Sequence, residues 1–303
     1  MKKLSLSLFF FLPLLWGCGS DGGNTETTPT ETGEIPSWVP GNVHNAPWFG
    51  NLLISESEDG LTFGEDAPFL EHAGVPNLLR INSGQIIATY QYFSFEDEAL
   101  FGIMTYSLSD DEGATWKGPF PILCENVPPM EGDSQLVDPS LVELEDGKVR
   151  LYFTIHPDGM ANAHPASAIA DSVEGVFEYE GPCITLAGVH LLDPAVIRFN
   201  DEWHYFTPKP GADGLVNLHA ISQDGNSFTW VEEITLEMNM LGNPILFDGG
   251  IRFYGSGPEG VLSAFSSDGY SWTLDEGVRA TGVDPGAVKR SDGSILLIST
   301  IRD

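Results

Sequence analysis

A short apolar strand led by proline recurs five times in this chain: VPNLLRI from Val75, DPSLVEL from Asp138, DPAVIRF from Asp193, NPILFDG from Asn243 and DPGAVKR from Asp284. Each is followed by a tight-turn signal: Asn82-Ser83-Gly84, Asp146-Gly147, Asn200-Asp201, Asp248-Gly249-Gly250 or Asp292-Gly293. A second run then follows every turn, namely QIIATYQY, KVRLYFTI, EWHYFTP, IRFYGS and SILLISTI. Paired short strands joined by Asx-Gly turns read as β-hairpins, because those residues tolerate the left-handed backbone that the turn requires. A unit repeated in this way buries its faces by stacking on its copies.

Each repeat closes with a third strand and a distinctive turn. Ser109-Asp110-Asp111-Glu112-Gly113-Ala114-Thr115-Trp116 resembles the Asp box of sialidases and many other β-propellers. Shorter versions stand at Ser222 to Phe228 and Ser266 to Trp272, and a worn copy at Asp171 to Phe177. The fifth, Ser57-Glu58-Asp59-Gly60-Leu61-Thr62-Phe63, lies at the opposite end of the chain from the repeat that lacks it. The C-terminal repeat stops after two strands, so Asn51–Phe63 is expected to supply its third strand and turn. The fold expected is all-β, a five-bladed β-propeller whose C-terminal blade is completed by N-terminal strands. Closing the ring removes the sheet edges that a linear array would expose. The boxes are expected to be structural, with Ser and Asp side chains tying the turn backbone.

Of 303 residues, 34 are Gly and 21 Pro, which suits short strands and many turns. Asp and Glu number 44 against 13 Lys and Arg, a formal net charge of −31. Such a surface repels nucleic acid and anionic membranes; it suits cations, neutral sugars or plain solubility. No Gly-rich phosphate loop lies between a strand and a helix, so nucleotide binding has no support.

Residues 1–18 read as an export signal: Lys2 and Lys3, then an apolar run from Leu4 to Leu15, then Trp16-Gly17-Cys18. The ending resembles a bacterial lipobox, which implies lipidation of Cys18 and anchoring to the cell envelope, at the outer membrane or cell surface. Residues 19–35, rich in Gly, Thr, Glu and Pro, read as a flexible tether, and 36–303 as the propeller. No other apolar run is long enough to span a bilayer, so the membrane is met only through the anchor. A monomer is expected. Cys124 and Cys183 fall in outer-strand segments of neighbouring repeats; a disulfide and two buried thiols are both open.

Inner strands line the channel of a propeller, and their first residues open onto one face. The inner ring is therefore Val75, Asp138, Asp193, Asn243 and Asp284. Loops after the second strands reach the same face, bringing Glu96, Asp97 and Glu98, His156 and Asp158, Lys209, and Glu259. Tyr90, Tyr92, Tyr205 and Tyr254 lie on the second strands, facing either the pocket or the packed blades. Of these, His156, Asn243, Lys209 and Glu96 are candidate substrate contacts. His72, His164, His190, His204 and His219 show no close metal-ligand spacing and are expected to be packed or in turns. Three carboxylates around a narrow channel raise one another's pKa, so a proton donor and an ionised base can coexist near neutrality. Glycoside hydrolysis uses such a pairing. Holding Ca2+ or another cation in the channel is a second use, and capping the start of the strand is a third. No cofactor is required by any of the three.

The segment VDPSLVELEDGKVRLYFT resembles the second blade of five-bladed glycoside hydrolases of families 43 and 32. In family 43 the Asp of that segment orients and tunes the acid, which the resemblance carries onto Asp138. The family's general base is an Asp on the first inner strand, where this chain reads Gly74-Val75-Pro76. Its acid is a Glu from a later blade; Glu259 is the candidate by position. Asp138, Asp193, Asp284 and Glu259 are thus the candidate catalytic set. GVPNLLRINSGQIIATY is similar to the opening blade of sialidases, but Gly74 stands where they carry Arg, and sialidase activity is disfavoured. The expectation is an exported, lipid-anchored, glycosidase-like propeller acting on or binding carbohydrate. The alternative is a non-catalytic surface propeller that binds glycan or protein partners.

Overall fold

The computed structural model describes residues 35–40, 46–130, 135–157, 162–209, 211 and 216–302. The readings of residues 1–18 as a signal, of Cys18 as a lipidation site and of the tether to residue 34 fall outside that range, as does Asp158. The first strands in the chain are β1 (Gly50–Ser57) and β2 (Ala67–Glu71). Blade one holds β3 (Ala73–Arg80), β4 (Ile86–Phe93), β5 (Phe101–Ser109) and β6 (Lys117–Pro121), paired in that order. A short β7 (Leu123–Glu125) leads to β8 (Val137–Glu143), β9 (Val149–Ile155), β10 (His164–Ala170) and β11 (Val176–Pro182) of blade two. Blade three is β12 (Ala195–Phe199), β13 (Glu202–Pro208), β14 (Val216–Ser222) and β15 (Thr229–Thr235). Blade four is β16 (Asn239–Phe247), β17 (Gly250–Ser256), β18 (Val261–Ser266) and β19 (Thr273–Leu274).

Blade five begins with β20 (Val283–Lys289) and β21 (Ile295–Arg302), then continues with β1 and β2 from the other end of the chain. β1 pairs with β21 along its whole length, from Gly50 opposite Arg302 to Ser57 opposite Ile295. The protein is an all-β, five-bladed propeller closed by its N-terminal strands. Each blade also carries an outer strand beyond the predicted three. Blade two has a further one, because β7 crosses over to run parallel to β11, with Leu123 opposite Val176 and Cys124 opposite Phe177.

Alternation of side chains gives each blade two faces, and both are covered by neighbours. One apolar cluster fills each interblade gap; between blades one and two, for example, Met104 and Leu108 meet Leu151 and Phe153. Tyr90, Tyr152, Tyr205 and Tyr254 are fully buried in these gaps and do not face the channel. Tyr152 donates to the Gly225 carbonyl at 2.5 Å and Tyr254 to the Gly60 carbonyl at 2.9 Å, each reaching the turn of the following blade.

Those turns are built by short side chains. Asp59 Oδ1 accepts from the Leu61 and Thr62 amides at 2.8 and 2.7 Å, while Ser57 Oγ accepts from Gly60 N at 2.9 Å. The same bonds recur around Ser222 and Asp224 and around Ser266 and Asp268. The turn aromatics pack between blades, Phe63 edge-on to Tyr254 at 5.9 Å and Phe228 against Tyr152 at 6.0 Å. Gly60, at φ 72°, comes so close that a Cβ there would lie 2.7 Å from the Tyr254 hydroxyl.

Candidate functional site

The inner strands begin with an unusual backbone. Val75, Asp138, Asp193 and Asp284 all adopt the left-handed conformation, with φ of 54°, 58°, 50° and 49°. Each precedes a proline, which disfavours the right-handed helical region for the residue before it. The ladder slips at three of these places, between Gly74 and Asn77, Val137 and Ser140, and Val283 and Gly286. A bulge at the rim of a sheet re-aims the side chain it carries. Here it turns the carboxyls of Asp138 and Asp284 toward one cavity, which Asp193 reaches from just before β12. In blade four the corresponding slip lies between Asn239 and Gly242, one residue before Asn243.

A left-handed non-glycine residue is strained, most of all a β-branched one such as Val75. The strain is held by hydroxyls on the second strand of the preceding blade. Val75 N donates to Thr300 Oγ1 at 3.1 Å, Asp193 N to Thr154 Oγ1 at 3.2 Å, and Asp284 N to Ser256 Oγ at 2.8 Å.

Asp138, Asp193 and Asp284 line one narrow cavity together with Val75, Pro76, Asn77, Pro139, Pro194, Leu241 and Gly242. Its free space is about 20 Å³, roughly room for a single water. Asn77 and Asn243 join blades one and four across the ring of inner strands, Asn77 Nδ2 donating to Asn243 Oδ1 at 3.0 Å. Asn243 Oδ1 also accepts from Leu78 N and Ala287 N, and Asn77 Oδ1 from Leu141 N. Asn243, expected among the substrate contacts, is therefore a buried brace between inner strands. Its amide oxygen already has three donors.

Withdrawal from water raises the pKa of all three aspartates. Asp138 is pushed up to about 6 by burial, reinforced by the charge of Asp284 and opposed by donors from Thr154 and Asp193. Asp193 lies well above the ordinary carboxylate range, raised by burial and then by the charges of Asp138 and Asp284. The Asp138 and Asp193 carboxyls bear on each other's ionisation, so their two protons are lost as a pair and not residue by residue. Asp284, raised by burial, is drawn back by Arg302 at 3.2 Å and by Ser256.

Arg302 was not flagged by the sequence reasoning. It lies near the end of the last strand, and the β20–β21 hairpin brings it to Asp284 at the mouth. Asn77 and Thr154 escaped because they are polar residues inside apolar strand patterns.

The remaining candidates scatter. His156 follows β9 and is buried, which lowers its pKa. Lys209 pairs with Glu233 of β15 at 2.5 Å, and Glu96 is exposed in the loop after β4. Glu259 lines a different depression with Glu65, Asp66 and Arg279, so the candidate acid is not beside the aspartates. His204 and His219 bond to each other at 3.0 Å in the interior. Among the described residues no group of three His, Cys, Asp or Glu is disposed to hold a metal ion. Cys124 and Cys183 are free thiols, both pushed up to about 12 by burial. β7 carries Cys124 into the sheet of blade two, beside Phe177, rather than into blade one.

No protein-family model and no curated protein matches the sequence. Solved structures do match the fold. A protein of unknown function from Dyadobacter fermentans is 17% identical, with a TM-score of 0.56 over 87% of each chain. A family 43 glycoside hydrolase from Xanthomonas citri, complexed with xylotriose, is 16% identical with a TM-score of 0.55, covering 77% of this chain and 89% of its own. A family 117 glycoside hydrolase produced by the marine bacterium Zobellia galactanivorans is 15% identical, with a TM-score of 0.52 over 84% of this chain and 91% of its own. At such identities the likeness is one of fold, and fold alone does not choose a chemistry.

Proposed function

We propose that this chain is an exported, lipid-anchored propeller of the glycosidase type that binds carbohydrate at the aspartate mouth without cleaving it. Cys18 carries the anchor and residues 19–35 hold the propeller away from the envelope, while the serine-aspartate turns act as Asp boxes that lock the blades. One observation carries the reading: Asp138, Asp193 and Asp284 crowd one narrow cavity instead of flanking an open cleft, and the other residues that line it carry no carboxyl. A glycosidase needs two carboxyls about 5–10 Å apart, on either side of the scissile bond. Here the first blade offers Val75 at the position facing them, and Glu259 lies in another depression. Asp138, as an acceptor, suits the hydroxyls of a neutral sugar. The xylotriose-bound neighbour makes a saccharide the natural ligand class to try first.

Hydrolysis is the second reading. It is favoured by a protonated and an ionised carboxyl standing side by side near neutral pH, as acid-base catalysis requires. Residues 36–303, prepared as a soluble protein, separate the two on a polysaccharide panel scored for binding and for sugar release. The expected outcome is binding without release, lost in an Asp138→Asn/Asp193→Asn double variant. Release by the parent that vanishes in that variant overturns the binding reading and establishes a hydrolase.

A further inference from the structure

Blades two and four each hold the turn of the next blade with a tyrosine, Tyr152 on the Gly225 carbonyl and Tyr254 on the Gly60 carbonyl. Blade three has Tyr205 at the matching place, but its hydroxyl has no hydrogen-bond partner among the described residues. The turn of blade four is held differently. Gly269, at φ 84°, sits so close over His204 that a Cβ there would lie 2.6 Å from the ring's Cε1. Tyr270, the next residue, donates its hydroxyl to Glu202 Oε2 at 2.5 Å. The seam between blades three and four is therefore closed by groups that titrate.

Four side chains of blade three form a line behind that turn. Glu232 Oε1 of β15 lies 3.2 Å from His219 Nδ1, His219 Nε2 lies 3.0 Å from His204 Nδ1, and His204 Nε2 lies 4.0 Å from Glu202 Oε2. Both imidazoles are buried. A carboxylate stands at each end of the line, and a carboxylate can only accept. His219 therefore donates from Nδ1 to Glu232, which leaves its Nε2 to accept from His204 Nδ1. Neutral imidazoles bring one N–H each, so the three gaps of the line share two hydrogens. The gap left without one, from His204 Nε2 to Glu202, is also the widest.

We propose that this line takes up one proton and no more, at His204 Nε2, and that the proton draws the blade-four turn inward through Glu202 and Tyr270 as a pH-sensitive latch on the seam. With that hydrogen in place every gap is filled and no ring nitrogen keeps a lone pair, so a second proton has nowhere to bind. Glu202 Oε2 faces His204 and accepts from Tyr270, so its movement toward the ring carries the Tyr270 hydroxyl with it. The charges that face the pair are Glu202 on β13, Glu232 on β15 and Asp268 in the blade-four turn. β12 adds the Phe199 carbonyl, and the rings of Phe206 and Tyr270 pack on both imidazoles. Burial holds His204 below the ordinary imidazole range, while Glu202, the Phe199 carbonyl and Asp268 pull it back. His219 is pushed down to about 3 by burial and then by the charge of His204. The latch closes on the acid side of neutrality.

The inference is independent of any sugar at the mouth. ¹⁵N NMR of the imidazole rings, run on the whole folded chain from about pH 8 to about pH 4, reads each ring nitrogen directly. Above neutrality both His204 and His219 should carry their hydrogen on Nδ1. On acidification one proton should enter, at His204 Nε2, while His219 Nε2 stays an acceptor. A hydrogen on His219 Nε2 at neutrality, or a proton taken up by each ring, overturns the proposal. Glu202→Gln removes the charge that receives the proton and should move the step down by about one pH unit, a tenfold loss of proton affinity. A step that stays in place in that variant overturns the assignment. The latch itself is read by hydrogen exchange at the Gly269 and Tyr270 amides, taken as a ratio to the matching Gly60 and Leu61 amides of blade five. That ratio should fall as the proton enters in the parent and stay level in Tyr270→Phe. The same behaviour in both chains overturns the latch.

Discussion

At the mouth of the channel Asp138, Asp193 and Asp284 are all pushed upward in pKa, whereas at the other end of the blades Asp59, Asp111 and Asp268 are lowered to about 2. The residue type is the same, so the difference lies in what surrounds it. A turn aspartate sits at the surface and accepts from two or more groups of its own turn, as Asp268 does from Tyr270 N at 2.8 Å and Ser271 N at 2.7 Å. A mouth aspartate has less water around it and other carboxyls as neighbours. Local hydrogen bonds favour the charged form, and burial among like charges favours the neutral one. The first arrangement stabilises a fold. The second stores an unfavourable charge at a place where a ligand can relieve it.

The largest test of this contrast is the pH dependence of stability. Asp138 binds its proton more tightly folded than unfolded, so its contribution is fully present at low pH and is lost as pH rises through about 6. The cost of ionising the mouth should be on the order of 2 kcal/mol by neutral pH. The turn aspartates run the other way: their stabilisation is present above the ordinary carboxylate range and is lost as pH falls toward 2. Thermal melts should therefore peak between about pH 4 and 5 and decline on both sides. The Asp138→Asn/Asp193→Asn variant should flatten the alkaline limb only. A parent whose melting temperature climbs from pH 5 to 8 would break the comparison.

A smaller effect is expected at the turns. Ser266→Ala takes away the acceptor of the Gly269 amide, 2.8 Å away and buried, which costs about 1–2 kcal/mol in urea unfolding. A loss below about 0.3 kcal/mol would mean that water replaces the serine and that the turns are looser than their bonds suggest. The smallest effect concerns Val75, which shares the backbone of the mouth aspartates without their charge. Val75→Asn, a residue that tolerates the left-handed region, should stabilise by about 1 kcal/mol. Destabilisation there would show that valine's packing outweighs its backbone strain.

Much of the architecture was legible in the chain because it is local and repeated. The proline-led strands, their Asx-Gly turns and the displaced Ser57–Phe63 turn together implied five blades and the way the ring closes. The same repetition marked Asp138, Asp193 and Asp284 as equivalent positions on one face. The extra strand β7 was not legible, since its three residues carry no pattern and its partner β11 lies more than fifty residues further on. Glu259 shows the limit of reasoning by position. It follows a second strand as expected, yet its loop faces Glu65 and Asp66 rather than the channel.

Strand identity, blade number and the choice of residue at each blade's inner end follow from patterns a few residues long, where backbone preference and side-chain alternation act directly. The mutual influence of Asp138 and Asp193 and the Asn77–Asn243 brace join residues 55 and 166 positions apart in sequence. Hydrogen bonding and desolvation act over a few ångströms of space, and which residues come within that reach is decided only when the blades pack.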